Sequence, residues 1–83
     1  MAKRPSLSKK PKQEINRIKV VLVEEGVKQK ELAQMIGIST NSVYRICKNE
    51  DQPSLQRLLQ IAKALGVNIQ RLLIPTEERD KRK

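Results

Sequence analysis

The sequence predicts an all-α domain of five short helices, and three observations carry that expectation. Tyr44 is the only aromatic residue, with no Phe and no Trp. A core must therefore be assembled from Leu, Ile, Val and Ala, which suits short packed helices. Apolar residues recur at three- and four-residue spacing along most of the chain, the period of a helix with one buried face. Gly26, Gly37 and Gly66 each stand after such a run, where a left-handed residue can close a helix.

Residues 13–25 place Ile15, Ile18, Val21 and Leu22 on one stripe. The β-branched run from Ile18 to Val23 also fits a strand. Helix is preferred because the pattern extends back to Ile15 and ends in Glu24-Glu25-Gly26. Residues 28–36 form a shorter second helix with Leu32, Ala33 and Ile36 facing inward, and Gly37-Ile38 makes a tight turn. Ser39 caps a third helix, its hydroxyl accepting from free N–H groups of the first turn. Val43, Ile46 and Cys47 are the buried side of that helix. After the polar loop from Asn49 to Pro53, Ser54 caps a fourth helix. Its Leu55, Leu58, Leu59, Ala62 and Leu65 form the clearest amphipathic stripe in the chain. Asn68 caps a short fifth helix with Ile69, Leu72 and Leu73, and Pro75 follows its end.

The chain has 83 residues, enough for one domain with a small core. Its formal net charge is +9, which favours an anionic partner. More than half of that excess comes from Lys3, Arg4, Lys9, Lys10 and Lys12, in a stretch without acids. Residues 1–12 therefore read as a flexible basic arm, residues 13–75 as the folded module, and residues 76–83 as a charged tail. The arm's cluster also fits a solubilising tail or a localisation signal.

Cys47 is the only cysteine and no histidine is present. No disulfide can form within one chain, and a zinc site lacks ligands. Free Cys is most often a small apolar residue. A reducing, cytoplasmic setting fits best. The longest unbroken apolar run, Val20 to Val23, is far too short to cross a membrane. The basic N-terminus also lacks the apolar stretch of a signal peptide. No cofactor is expected. Enzymatic chemistry is disfavoured, because there is no metal-ligand cluster and no Gly-rich phosphate loop. The paired acids Glu24-Glu25 and Glu77-Glu78 read as solvated surface.

Residues 28–48 carry the functional signal: a helix, a Gly-containing turn and a second helix. Ala33 is small where the two helices must approach, Gly37 follows four residues on, and Ile38 and Val43 plug the space between. Such a helix-turn-helix holds its second helix proud of the body, so that it can enter a DNA major groove. Once the buried residues are removed, the second helix exposes Thr40, Asn41, Ser42, Tyr44, Arg45 and Lys48, with no acid from Ser39 to Asn49. Asn41 can pair with an adenine edge, Arg45 can fork onto guanine or phosphate, and Thr40 and Ser42 can bond to bases or phosphates. Tyr44 either packs on a sugar or thymine methyl or covers the core edge. Gln29 can meet a phosphate oxygen together with the N-terminus of its helix. Lys28, Lys30, Ser39 and Lys48 complete the expected phosphate contacts, and Lys3 and Arg4 could reach the minor groove.

The ordered series Gly26-Val27-Lys28-Gln29-Lys30-Glu31-Leu32-Ala33, Ile36-Gly37-Ile38-Ser39, Pro53-Ser54-Leu55 and Ile61-Ala62-Lys63-Ala64-Leu65-Gly66-Val67 resembles the lambda-repressor-like, Cro/XRE family of helix-turn-helix regulators. The likeness covers roughly residues 13–74. It implies a five-helix domain with residues 39–48 as recognition helix, a backbone contact from Gln29, and DNA contacts from Thr40, Asn41, Ser42, Tyr44 and Arg45. It further implies two-fold dimers on palindromic sites in prokaryotic or phage regulation, with repression the expected mode. Some positions depart from the family pattern: Lys28 stands where Thr often caps, Ile46 replaces a frequent Trp, Cys47 a frequent Glu, Asn41 a frequent Gln, and Asn49 the usual Gly. The last still tolerates a left-handed backbone.

A homodimer is the expected working form, with Ile69, Leu73 and Ile74 either at the interface or closing the core. Two rivals remain. One is an antitoxin-type protein that also binds a toxin partner. The other is an RNA binder, although Tyr44 alone offers little base stacking.

Overall fold

The computed structural model describes residues 13–76. The expected arm, with Lys3 and Arg4, and the tail beyond Thr76 lie outside the described residues. Four α-helices follow one another, α1 (Ile18–Glu25), α2 (Gln29–Ile36), α3 (Thr40–Cys47) and α4 (Leu55–Leu65). The fifth expected helix is a single 3-10 turn, Ile69–Leu72. The domain is all-α, as the sequence predicts.

The first helix is shorter than the sequence pattern suggests. Residues 13–17 are not helical, and Asn16 forms an isolated antiparallel bridge with Leu73. Asn16 itself explains the late start. Its side-chain Oδ1 accepts from the Ile18 amide at 3.1 Å, the local bond by which Asn competes with helix and favours its beginning. The neighbouring backbone is taken up by the chain's far end: the Arg17 amide donates to the Leu72 carbonyl, and the Ile74 amide to the Ile15 carbonyl. Ile15, expected inward, is therefore 45% exposed.

The core is aliphatic. Ile18, Val21 and Leu22 from α1 meet Leu32 and Ala33 from α2, Val43, Ile46 and Cys47 from α3, and Leu58, Ile61, Ala62 and Leu65 from α4, with Leu72 closing one end. Ile36, Ile38 and Ile69 are partly buried against this cluster. Leu58, Ala62 and Leu65 are buried as expected, but Ile61 joins them, whereas Leu59 is 44% and Leu55 80% exposed. The residues at 58, 61, 62 and 65 form the i, i+3, i+4, i+7 face of a helix that packs against α2 and the 3-10 turn, and Leu55 stands at its first position.

Helix ends follow the sequence chemistry. Ser39 and Ser54 accept from the amides of Ser42 and Arg57, and Asn68 accepts from Gln70. Lys28, at the head of α2, has no side-chain acceptor to offer. Only the reciprocal half of a capping box forms there, Glu31 accepting from the Lys28 amide at 2.9 Å. Gly37 ends α2 at φ +75°, a left-handed turn that a Cβ would strain. Arg57 of α4 reaches back to the Ile36 carbonyl at 3.4 Å, placing a cation at the negative end of α2. The turn between α2 and α3 is thus held from both sides. Glu24 and Glu25, read from sequence as solvated acids, receive Arg71 at 2.6 and 3.1 Å and tie α1 to the 3-10 turn. Among the described residues, no helix is long and apolar enough to cross a membrane.

Candidate nucleic-acid interface

Helix α3 is amphipathic at helical period. Val43, Ile46 and Cys47 are buried, while Thr40, Asn41, Tyr44, Arg45 and Lys48 are exposed. The exposed residues fall at i, i+1, i+4, i+5 and i+8, one continuous face along two turns. Ser42 is half-buried at the edge of that face. Its hydroxyl receives the Ser39 hydroxyl at 2.9 Å while its amide donates to the same Ser39 oxygen. The two serines therefore fix the entrance to α3.

The second helix contributes its N-terminus. Lys28 and Lys30 are exposed, and Gln29 is half-buried at the first helical position. Unpaired N–H groups at that end and the helix dipole favour an anion there.

The fold brings two acids back to the exposed face of α3, although none lies between Ser39 and Asn49 in sequence. Arg45 donates through Nε to Asp51 Oδ2 at 3.0 Å and through Nη2 to Asp51 Oδ1 at 3.1 Å. This doubly bonded partner raises the guanidinium pKa above its ordinary value. Lys48 lies 5.1 Å above the Tyr44 ring centroid and 3.4 Å from Glu50. Hydrogen bonding to Tyr44 and then to Glu50 raises its pKa. Tyr44 thus stands out from the core edge under a lysine cation. These groups are between a third and a half exposed, so the ion pairs contribute little to folding. They set the posture of the side chains.

Behind the face lies a polar knot that sequence reading missed. Asn49 has φ +60° and a buried side chain. Its Oδ1 accepts from the amides of Ile15 and Asn16 and from Gln52 Nε2, and its Nδ2 donates to the Asn16 carbonyl. Asn16 Nδ2 donates to the Ile46 carbonyl at the end of α3 and to Gln52 Oε1. The left-handed tolerance of Asn49 was legible from its residue type. Its bonding to residues more than thirty positions away was not. Of the expected dimer residues, Ile69 packs against the core, whereas Leu73 and Ile74 remain partly exposed.

The helix-turn-helix family profile HTH_3 matches residues 18–72. The chain belongs to that family. A candidate DNA-binding protein from Bacteroides fragilis, solved by crystallography, is 42% identical, with a TM-score of 0.71 over 72% of this chain and 97% of that one. A hypothetical transcription factor from Neisseria is 29% identical, with a TM-score of 0.64 over 71% of this chain and 68% of that one. No curated protein matches the sequence. This helix-turn-helix protein is a DNA-binding regulator, and α2 and α3 form its two-helix unit.

Proposed function

We propose that the protein is a sequence-specific duplex DNA-binding repressor that inserts α3 into the major groove. The observation that supports this most directly is the exposed face of Thr40, Asn41, Tyr44 and Arg45, carried on a helix whose opposite side is locked into the core. Asn41 and Arg45 supply the base contacts, the amide matching adenine and the guanidinium matching guanine. Lys28, Gln29, Lys30, Ser39 and Lys48 neutralise or hold phosphates on either side and set the register of the helix in the groove. The arm at residues 1–12, with Lys3 and Arg4, adds charge to the complex. A two-fold dimer is the working form, because one module of this size offers few base contacts. Leu73 and Ile74 are its candidate contact residues.

The test is selection of duplexes from a random-sequence pool at moderate salt, with the Asn41→Ala/Arg45→Ala protein in parallel. A palindromic motif enriched by the wild type and lost by the double variant is expected. Salt-sensitive binding without any enriched motif would refute sequence-specific readout.

A further inference from the structure

Asp51 offers a way to decide what Arg45 reads. The guanidinium carries five N–H donors in a planar fork. Asp51 takes the side-on edge, formed by Nε and Nη2. That leaves three donors, two on Nη1 and one on Nη2, and the outer pair forms a second parallel fork. This remaining edge has the spacing that guanine O6 and N7 require.

The carboxylate is held in place independently of its pairing. Asn49 turns the chain at φ +60°, and the amides of Glu50 and Asp51 both donate to the Arg45 carbonyl, at 2.9 and 3.3 Å. The Asp51 backbone therefore hangs from the residue whose side chain it grips. An exposed pair of this kind adds little to folding. It does remove rotational freedom from Arg45 before any DNA arrives, so less is lost on binding.

The charge of Asp51 has a second consequence. A phosphate approaching Arg45 also approaches a fixed carboxylate, and the like charges repel. A guanine edge is uncharged and offers two acceptors without that penalty. Discrimination by a repulsive element of this kind is a recognised route to specificity.

We propose that Asp51 is a positioning and specificity-determining residue, which holds the Arg45 guanidinium side-on so that its outer fork meets guanine in preference to phosphate. This rests on the reading of Arg45 as a base contact. With Asp51 removed, Arg45 becomes a mobile free cation. Binding to arbitrary DNA tightens while selectivity at guanine falls.

The experiment measures binding of wild type, Asp51→Ala, Asp51→Asn, Arg45→Ala and Arg45→Ala/Asp51→Ala. The probes are the duplex enriched by wild type, the same duplex with each guanine replaced in turn, and a random-sequence duplex of equal length. Thermal melting confirms that each variant is folded, as expected for side chains about half exposed. Asp51→Ala should bind the random duplex several-fold tighter and lose about tenfold in preference for the enriched duplex, the loss confined to one guanine position. Asp51→Asn keeps an acceptor for the guanidinium but not the charge, and should fall between. In the Arg45→Ala background, Asp51→Ala should leave the preference unchanged within twofold.

Unchanged or increased preference in Asp51→Ala overturns the proposal. So does an equal loss in the Arg45→Ala background, which would mean that Asp51 acts through loop folding. If Arg45→Ala alone, with Asp51 intact, keeps full preference, or if wild type enriches no duplex, the base-contact reading fails and the proposal falls with it.

Discussion

Asn49 and Asn16 tie the loop after α3 to the segment before α1, the Asn49 side chain accepting from the Asn16 amide at 3.0 Å and donating to its carbonyl at 3.1 Å. Both side chains are buried. Asn49 follows the C-cap of α3, and Asn16 precedes α1, so the pair anchors the exit of α3 to the start of the domain. Asn49→Gly keeps the left-handed backbone but abandons these bonds, and should cost about 1–3 kcal/mol of stability. Asn49→Ala adds the strain of a Cβ at positive φ, about 1–2 kcal/mol more. Urea denaturation of both variants distinguishes the contributions; equal losses would mean that the backbone conformation contributes nothing.

The two helix N-termini of the binding unit respond in opposite directions. Ser39→Ala removes the acceptor for the Ser42 amide and should destabilise by about 1 kcal/mol. Lys28→Thr adds the missing acceptor opposite the Glu31 half of the box and should stabilise by about 0.5–1 kcal/mol. Thermal melting reads both. Loss of stability in Lys28→Thr would mean that α2 is not short of a cap at its N-terminus.

Cys47 sets a stability limit at high pH. Burial raises its thiol from an ordinary value of 9.0 to about 11. The unfolded chain therefore releases this proton first. Its linkage has no effect below about pH 9, and stability falls as pH rises from about 9 to about 11. A two-unit shift corresponds to about 3 kcal/mol at most. Other groups titrate in the same range, so the check is the difference in pH dependence between wild type and Cys47→Ala. Parallel curves would show that the thiol is not held neutral by the fold.

Asn41 and Lys30 should differ in kind. Asn41→Ala is expected to weaken the enriched duplex roughly tenfold or more with little change on random DNA, as for a base contact. Lys30→Ala should weaken both about equally and reduce the salt slope by about 1. Fluorescence anisotropy titrations over a range of salt concentrations separate the two patterns. Reversed patterns would exchange the proposed roles.

Deletion of residues 1–12 should flatten the salt dependence of DNA binding, because five cations leave the complex. The composition of this stretch, rich in Lys and Pro and poor in apolar residues, is that of a segment outside the folded module, so the melting temperature should hold. A truncated chain that fails to fold would show that the arm belongs to the domain.

What the sequence determined by itself is whatever depends on neighbours within one turn of chain. The caps Ser39, Ser54 and Asn68, the glycine ends of α1, α2 and α4, and the buried Val43, Ile46 and Cys47 all follow from residue type and a 3.6-residue period. The exposed face of α3 follows as their complement. Tertiary structure decided the rest. Ile15 left its stripe because Asn16 and the chain's far end claimed the local backbone. Ile61 took the place of Leu55 and Leu59 on the buried face of α4 because the helix offers two overlapping stripes, and the positions of α2 and the 3-10 turn choose between them. The pairing of Arg45 with Asp51 required the loop after α3 to fold back on its own helix. A side chain's chemistry is local, but its partner is chosen by the path of the whole chain.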